Sequence, residues 1–379
     1  MKKILICSYY YYPENVPRAF RTYELVMEFL KRGYQVDLFI PKYTNVTNNS
    51  NASNCKNLKI YNFMTRDDIY GNESLKSKLK SNKFFNLINK ARIYFFYTQQ
   101  NYDQKLKKCL LDNVKYKNYD LCISIGLPIL IHKGVSEFFK ESSNVILCKI
   151  ADYGDPFYFD AERKLAPWFF YYEKSILKNF DYVTVPVKEA REAFIKFKNV
   201  DYIKVIPQGF DFTNIKIENN YQKHNIPVFG YAGAFYEKVR NPKLFFLYLQ
   251  KIKMNFKFIL YISPESYNLV KKYLIGLENK IIIKKILPRD EVIYELSKLD
   301  FLVNFENESN TQKPSKIVDY TLTRRPIVNI NCNSENYDTF NKFLLGDYSN
   351  YKKANIERFD IRNVVNDFIK LSITKKEKT

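Results

Sequence analysis

The stretch FLVNFENESNTQKPSKIVDYTLTRRPIVNI, residues 301–330, places a short helical pattern between two apolar runs. FLVNF and PIVNI have the length and composition of buried strands. Pro314 suits the first position of a helix between them, because its ring fixes the backbone angle and its missing N–H would have no partner there. Buried strands that are joined by helices are typical of a parallel sheet covered on both faces.

The predicted helix has two unlike sides. At about 100° per residue, the polar side gathers Ser315, Lys316, Asp319, Tyr320 and Thr323, and the apolar side gathers Ile317, Val318, Thr321 and Leu322. We expect the apolar side to pack against the sheet. A hydroxyl and an ammonium at the start of a helix indicate an anion site, because the helix N-terminus is itself positive.

The same alternation continues through both halves of the chain. The strand candidates are 3–7, 36–40, 121–125, 145–150, 182–186 and 203–207 in the first half, and 228–233, 256–262, 280–286, 301–305 and 326–330 in the second. A chain of 379 residues exceeds one typical core. The sequence therefore predicts an α/β protein with two Rossmann-like, doubly wound domains that face each other across a cleft.

Polar segments mark the predicted domain boundaries. We expect an N-terminal domain over 1–212, a linker over 213–225 and a C-terminal domain over 226–355. The last segment, 356–379, has the pattern of an amphipathic helix as far as residue 371, followed by a charged tail that frays.

Composition limits the function classes. The net charge of +21 favours nucleic acid, an anionic membrane surface or phosphorylated small molecules as partners, although a genomic bias towards lysine would explain part of it. Six scattered cysteines and two histidines argue against a disulfide framework, structural zinc and a multi-histidine metal centre. No apolar run suits a signal peptide or a membrane span. We expect a cytoplasmic protein, or one peripheral to the inner face of the cytoplasmic membrane.

The basic stretch 76–117 has three interpretations, because its lysines alternate with Phe, Tyr and Leu. It would be a solvated face, or a segment that binds an anionic membrane surface. Nucleic-acid binding is the third interpretation, and no recognisable module frames it.

Two loops of the second half carry a specific resemblance. A strand ends in Ala232-Gly233 and is followed by Arg-Asn-Pro at 240–242. Later come Pro-Ser-Lys-Ile-Val-Asp-Tyr at 314–320 and Arg-Arg-Pro-Ile-Val at 324–328. This order resembles the nucleotide-sugar domain of GT-B glycosyltransferases, close to glycosyltransferase family 4 of capsule, lipopolysaccharide and exopolysaccharide biosynthesis.

The resemblance implies a donor site in the C-terminal domain. The donor-binding residues would be Gly233, Lys238, Arg240, Thr311, Ser315, Lys316 and Asp319. Arg240, with Lys238 beside it, and Lys316 would hold the diphosphate, and Asp319 would accept hydrogen bonds from the ribose. Cations placed in advance stabilise the charge that develops on a leaving diphosphate. Relatives carry a glutamate at the position of Thr311, which leaves the donor sugar open.

The resemblance also implies an acceptor site in the N-terminal domain. IPQGFDF (206–212) resembles the segment that ends that domain in the family, and ADYGDPF (151–157) resembles an Arg-Asp-Pro-Trp segment of a capsule and lipopolysaccharide subset. Asp155 would orient or deprotonate the acceptor hydroxyl, and Asp155, Arg240 and Lys316 make the predicted catalytic set. The predicted acceptor-binding residues are Glu14, Arg18, Arg21 and Asp152. The family's Gly-Gly in the first loop is replaced by Asn15-Val16-Pro17-Arg18, and the final helix would cross back to this domain.

The donor residues also have ordinary structural explanations. Lys316 and Asp319 would form an i, i+3 ion pair on a solvated helix face, which contributes only a few tenths of a kcal/mol. Arg240 would be a loop arginine that serves solubility.

The same holds in the first half. Arg18 and Arg21 would make a basic helix face, and Asp152 or Asp155 would begin an Asx-turn. His132 lies in an apolar, helical context and is expected to be structural.

The expected function is transfer of a sugar from a nucleoside-diphosphate-sugar to a cell-surface polysaccharide or a lipid-linked glycan, with retention and without a metal. No cofactor is expected besides the donor, and no nucleic-acid partner. The alternatives are a sugar-nucleotide epimerase of the same fold, a catalytically silent nucleotide-sugar-binding subunit, and a basic nucleic-acid binder.

Overall fold

The computed structural model describes residues 2–12, 14, 16–43, 55–65, 94, 101–143, 145–160, 164–213, 215–237, 240–306, 316–351, 353 and 355–377. Lys238, Thr311 and Ser315 lie outside the described residues, as does most of 76–117. The chain forms two compact units. Unit 1 comprises Met1–Asp211 and Arg358–Thr379, and unit 2 comprises Phe212–Glu357.

Unit 1 is built on a parallel sheet with the strand order β3-β2-β1-β4-β5-β6-β7 in its described part. The strands are β1 (Lys3–Ser8), β2 (Gln35–Lys42), β3 (Leu58–Thr65), β4 (Leu121–Ile125), β5 (Lys149–Asp152), β6 (Tyr182–Val185) and β7 (Ile203–Val205). The helices between them are α1 (Pro17–Lys31), α2 (Tyr102–Val114), α3 (Ile129–Glu141) and α4 (Trp168–Leu177), with 3-10 turns at Lys188–Ala193 and Val200–Tyr202.

The strand β1 shows why an uninterrupted apolar run is needed at the centre of this sheet. Leu5 and Cys7 belong to the core on one face of the sheet. Ile4 and Ile6 belong to the core on the other face, together with Leu25 of α1. Side chains alternate across a strand, so a strand that is covered on both faces is apolar at most of its positions.

Unit 2 is built on a smaller parallel sheet with the order β10-β9-β8-β11-β12. The strands are β8 (Val228–Ala232), β9 (Lys257–Tyr261), β10 (Ile281–Lys284), β11 (Phe301–Phe305) and β12 (Ile327–Ile330). The helices are α5 (Lys243–Lys251), α6 (Pro264–Val270), α7 (Arg289–Ser297), α8 (Lys316–Leu322) and α9 (Asp338–Leu344). Three stacked rings hold the middle of the sheet, because Phe229 lies 4.6 Å from Phe258 and 4.8 Å from Phe301 between centroids.

The final helix, α10 (Ile361–Glu377), belongs to unit 1. Its apolar side chains, such as Val364 and Phe368, join the core that contains Leu25 and Phe29 of α1. The helix continues to Glu377, so the prediction that its charged end frays after residue 371 is wrong for residues 372–377.

The prediction of two doubly wound α/β domains with the GT-B strand pattern is confirmed as a fold class. The strand β3 was missed, because LKIYNFMT alternates polar and apolar residues and exposes much of one face. The fourth predicted run, 145–150, is displaced: Ile146 makes only an isolated bridge with Tyr119, and β5 occupies Lys149–Asp152.

Both sheets reverse their winding beside their first strand. In unit 1 the reversal lies between β1 and β4, and in unit 2 it lies between β8 and β11. Loops at the carboxyl ends of the strands diverge at such a point and leave a crevice where ligands bind in doubly wound sheets.

Candidate functional site

In unit 2, three predicted donor residues meet at the reversal point. Gly233 follows β8 directly, Arg240 lies in the loop that continues from it, and Lys316 begins α8 after β11. Because β8 and β11 are neighbours in the sheet, loops that are distant in sequence place two cations at one edge.

The ammonium of Lys316 lies in a largely buried position. Its Nζ donates a hydrogen bond of 2.9 Å to Oη of Tyr231 and lies 4.6 Å from the centroid of that ring. Burial, and then the positive charge of Arg240, lower the pKa of Lys316 to about 7, against a smaller opposing effect of Asp319. An anion bound here would oppose both effects, because it stabilises the charged form of Lys316. The site therefore favours a negatively charged ligand.

Gly233 makes this position of Lys316 possible. Its φ is +145°, which favours glycine, and a Cβ at this residue would overlap the ammonium of Lys316. The backbone therefore approaches the cation closely at the end of β8.

Arg240 is fixed beside Lys316 by its own loop. Its side chain is 7% exposed, and its Nη1 donates to the carbonyl of Ala234 at 3.3 Å. The backbones of Tyr236 and Arg240 exchange two hydrogen bonds of 3.2 Å each. The guanidinium is therefore held in place before any ligand arrives, as electrostatic stabilisation of a leaving group requires.

Asp319 pairs with an arginine that the sequence analysis missed. Nε and Nη2 of Arg289 lie 2.8 and 2.7 Å from Oδ1 of Asp319. The alternative of an i, i+3 ion pair between Lys316 and Asp319 is therefore wrong. Burial raises the pKa of Asp319 by more than Arg289 lowers it. Arg289 begins α7, and no feature of its sequence neighbourhood indicates this contact.

The prediction of one polar and one apolar side for α8 is partly wrong. Tyr320 and Thr323, assigned to its polar side, are buried. Oη of Tyr320 accepts a 2.8 Å hydrogen bond from the Ala232 N–H, and the Thr323 hydroxyl donates to the Tyr320 carbonyl at 2.6 Å. The Tyr320 side chain secures the helix to β8, and the Thr323 hydroxyl bonds to the last turn of the helix itself. Lys316 and Asp319 are then the polar groups available in its described part.

In unit 1, three of the four predicted acceptor residues form a buried ion-pair cluster at the end of β5. Arg21 donates to both carboxylate oxygens of Asp152, at 2.8 and 3.1 Å, and Arg18 donates at 3.2 Å. The Thr184 hydroxyl adds a 2.7 Å bond. Burial alone would raise the pKa of Asp152, but Arg21, Arg18 and Thr184 together lower it. Arg21 also donates to the carbonyls of Ile206 and Pro207, so this cluster joins α1, β5 and the end of β7.

Arg18 lies at the edge of this cluster, next to the loop that carries Asp155. A Cβ on Gly154 would overlap its guanidinium. Burial lowers the pKa of Arg18, and the negative charge of Asp155 acts in the opposite direction. Asp155 itself is exposed. Glu14 lies elsewhere in the first loop, where its Oε1 accepts a 2.6 Å hydrogen bond from the Tyr43 hydroxyl.

Two further buried groups of unit 1 surround the same loop. His132 is fully buried with Nδ1 2.8 Å from the Ser124 hydroxyl, and burial lowers its pKa to about 3, as expected of a structural histidine. Glu173 of α4 accepts a 3.0 Å hydrogen bond from the Tyr158 N–H, and burial raises its pKa to about 7. No sequence pattern indicated Glu173, which lies inside an aromatic run.

Within the described ranges, no group of three or more His, Cys, Asp and Glu side chains is arranged to hold a metal ion. Among the helices that the structure describes, none has the length and apolar character needed to cross a bilayer.

No family model matches the sequence, and no curated protein matches it. Solved structures match its fold over nearly the whole chain. Sucrose-phosphate synthase from Thermosynechococcus elongatus has 12% identity and a TM-score of 0.64, with all of both chains covered. The lipopolysaccharide outer core galactosyltransferase WaaB has 12% identity and a TM-score of 0.59, with 99% of this chain and all of that chain covered. A putative UDP-N-acetylglucosamine 2-epimerase from Listeria monocytogenes has 12% identity and a TM-score of 0.55, with 100% and 98% covered.

The chain has the GT-B fold. Its two parallel sheets of seven and five described strands are the two doubly wound domains of that fold. At 12% identity the likeness shows the GT-B fold alone, so the activity must be argued from the side chains of the two sites.

Proposed function

We propose that this GT-B protein is a glycosyltransferase whose donor is a nucleoside-diphosphate-sugar bound to unit 2. The observation that carries the proposal is the position of Lys316 and Arg240, two neighbouring cations at the reversal point beside Gly233. Their mutual repulsion and burial lower the pKa of Lys316 to about 7, a cost that a bound diphosphate would offset.

The charges around this site support an anionic ligand. Lys316, Arg240 and Arg289 are three positive groups, and Asp319 and Asp290 are two negative groups, of which Asp290 is exposed and lies 4.0 Å from Arg289. The net charge is therefore +1 when all five are ionised. A sugar diphosphate ester carries two negative charges. The countercharge thus comes from side chains, and we propose that transfer needs no divalent metal and proceeds with retention.

Asp319 is proposed to bind the ribose. A carboxylate accepts hydrogen bonds from two neighbouring hydroxyls, as in dinucleotide-binding sites. Arg289 holds Oδ1 of Asp319 from one side and would fix the orientation of the carboxylate towards the sugar.

We propose that the acceptor binds to unit 1 and is a cell-surface polysaccharide or a lipid-linked glycan. The likeness to a lipopolysaccharide galactosyltransferase supports this acceptor class. Asp155 is the proposed base, since it is exposed at the carboxyl end of β5 while Asp152 is occupied by Arg18, Arg21 and Thr184. We also retain 76–117 as a segment that binds an anionic membrane surface.

A thermal-shift panel of nucleoside diphosphates and nucleotide-sugars tests the donor site. A ligand at 100 times its Kd stabilises the native state by about 2.7 kcal/mol, so a true donor raises the melting temperature. We expect Lys316→Ala to weaken that ligand by about 10- to 100-fold, because a charge-assisted hydrogen bond is lost. Lys251→Ala, at an exposed lysine of the same unit, is the matched control. An equal response of both variants would refute the site.

A sugar-nucleotide epimerase is the second candidate, and the structural neighbour of that name favours it. An epimerase converts the donor without any acceptor and releases no nucleotide. A glycosyltransferase releases nucleotide in proportion to acceptor glycan. Measuring nucleotide release with and without acceptor separates the two, and unchanged transfer in EDTA is expected from metal independence.

A further inference from the structure

Unit 1 exposes a contiguous set of large apolar side chains around α4. This aromatic patch consists of Tyr158, Phe159, Trp168, Phe170, Tyr171, Ile195 and Phe197. Tyr171 is 70% exposed, Ile195 52% and Trp168 49%. Large apolar side chains grouped in this way mark an interaction surface more often than scattered ones do.

Ring contacts show that the patch is one surface. Phe170 lies 4.8 Å from Phe197 and 5.7 Å from Tyr158 between ring centroids. Phe159 lies 5.7 Å from Phe197. Segments that are up to 38 residues apart in the chain, from Phe159 to Phe197, are thus joined on one face of unit 1.

The core of unit 1 accounts for only part of the patch, because Tyr158 and Phe197 are partly buried against it. Phe169, Ile176 and Leu177 are the residues of α4 that pack inward. Trp168 and Tyr171 are one turn apart on its outer side, and both are exposed. The helix therefore has apolar groups on two sides, and only one of them is used by the core.

Lysines accompany the patch. The Nζ of Lys196 lies 5.1 Å from the centroid of the Phe159 ring, and Lys174 follows Tyr171 by one turn with an exposed side chain. Glu192 is an exposed acid nearby in sequence, but the chain as a whole carries +21. Aromatic rings with lysines at their margin have the chemistry of a surface that meets anionic headgroups.

We infer that the aromatic patch binds the surface of an anionic lipid bilayer, with Trp168 and Tyr171 at the level of the headgroups. Tryptophan and tyrosine favour this level because each has an apolar ring and a polar edge. The lysines supply attraction to anionic lipid, and no part of the chain has to cross the membrane.

The patch adjoins the loop that carries the proposed base. Tyr158 follows Asp155 by three residues, and Glu173 of α4 accepts the Tyr158 N–H at 3.0 Å. A bilayer under the patch would therefore bring a lipid-linked acceptor towards this loop. This last step rests on the proposed function, whereas lipid binding itself does not.

The experiment uses Trp168, which is the single tryptophan of the chain. Its emission should shift to the blue on addition of mixed phosphatidylglycerol and phosphatidylcholine vesicles, and brominated acyl chains should quench it. Pure phosphatidylcholine vesicles should give a much weaker response, because the lysines then have no anionic partner. The full-length protein is used without donor or acceptor.

Two double variants and one control test whether vesicle binding depends on the aromatic patch or is non-specific. Lys174→Glu with Lys196→Glu should weaken vesicle binding by at least about 25-fold, since each basic residue near anionic lipid contributes roughly fivefold. Tyr171→Ser with Ile195→Ser should weaken it at either lipid composition. Tyr267→Ser, at an exposed tyrosine of unit 2, is the matched control and should bind as the unaltered chain does.

Each opposing outcome overturns the inference. Absence of the blue shift and of co-sedimentation with anionic vesicles would do so, and nucleotide-induced thermal shifts in the same samples would show whether the proposed donor site survives. Sedimentation of a dimer that Tyr171→Ser with Ile195→Ser converts to a monomer would identify the patch as a contact between two copies instead. Equal loss of binding with Tyr267→Ser would show that lipid binding is not specific to the patch.

Discussion

The two sheets of this protein end in crevices of the same topology but handle charge in opposite ways. Unit 1 places Asp152 at the end of β5 and satisfies it with Arg21, Arg18 and Thr184. Unit 2 places Lys316 and Arg240 together, and burial, followed by the positive charge of Arg240, lowers the pKa of Lys316 to about 7. The charge of Asp152 is balanced by side chains of unit 1. The two cations of unit 2 would instead be stabilised by a bound anion.

The largest expected effect is on the unfolding free energy, through the ion-pair cluster around Asp152. Asp152→Ala removes the carboxylate that both arginines address and leaves Arg21 buried without its partner. Breaking a buried pair in this way costs about 3–5 kcal/mol of unfolding free energy. Urea unfolding followed by the emission of Trp168, which belongs to unit 1, measures the loss.

Asp155→Ala is the control for this variant, because its side chain is exposed on the same loop. It should leave the urea midpoint within about 0.5 kcal/mol of the unaltered chain. An Asp152→Ala protein of unchanged stability would contradict the view that this cluster is structural.

The next effect is the pH dependence of stability that comes from Glu173. This buried carboxyl has a raised pKa, whereas the pKa of Asp152 is lowered. Burial raises its pKa from 4.5 to about 7, so its neutral form is favoured in the folded state. The resulting stability is fully present below about pH 4.5 and is lost as the pH rises through about 7. The difference amounts to at most about 3 kcal/mol.

Urea midpoints at about pH 5 and pH 8 test this assignment. The unaltered chain should lose stability between them relative to Glu173→Gln, which cannot ionise. Parallel curves for the two proteins would mean that Glu173 does not titrate in this range.

A smaller effect is expected on donor affinity. Lys316 must be protonated to hold a diphosphate, and its pKa in the free protein is about 7. Affinity for a nucleotide-sugar should therefore fall above pH 7, by up to about tenfold per pH unit. Calorimetric titrations over this range should show the decline in the unaltered chain and a flat profile in Lys316→Met. An affinity that does not change with pH in either protein would show that Lys316 does not bind the phosphates.

The smallest effect concerns the contact that the sequence did not reveal. Arg289→Ala should weaken nucleotide binding only a few-fold, because the ion pair is partly exposed. The loss should be greater for a ribonucleotide than for its 2′-deoxy form, since Asp319 is then less well oriented. Arg289→Lys keeps the charge without the fork of donors and should be intermediate. Equal losses for both nucleotides would place Asp319 away from the ribose.

The fold was predictable because its signal is local. Runs such as KILIC and FLVNF are apolar at all but one position, as is typical of strands covered on both faces, and they are β1 and β11. The edge strand β3 was missed for the same reason, because one of its faces is exposed and its pattern alternates. The start of β5 was misplaced because VILC continues the apolar run without being part of the strand.

The sites were predictable only in part, because their contacts are not local. The sequence grouped Gly233, Arg240 and Lys316 through a resemblance, and the structure brings them to one crevice, but their roles towards a donor stay a prediction. The pairing of Asp319 with Arg289 depends on how α7 packs beside α8, which no periodicity shows. The neutralisation of Asp152 likewise needs α1 and β6 to be in place.

The close approach of Gly233 to Lys316 has an evolutionary consequence. The φ of +145° favours glycine at 233 whatever residue stands at 316, and a Cβ at 233 would in addition meet the ammonium of Lys316. Two separate constraints therefore act on one position. A substitution at 233 would strain the backbone and displace the cation together, so we expect selection to keep this glycine more strictly than the lysine beside it.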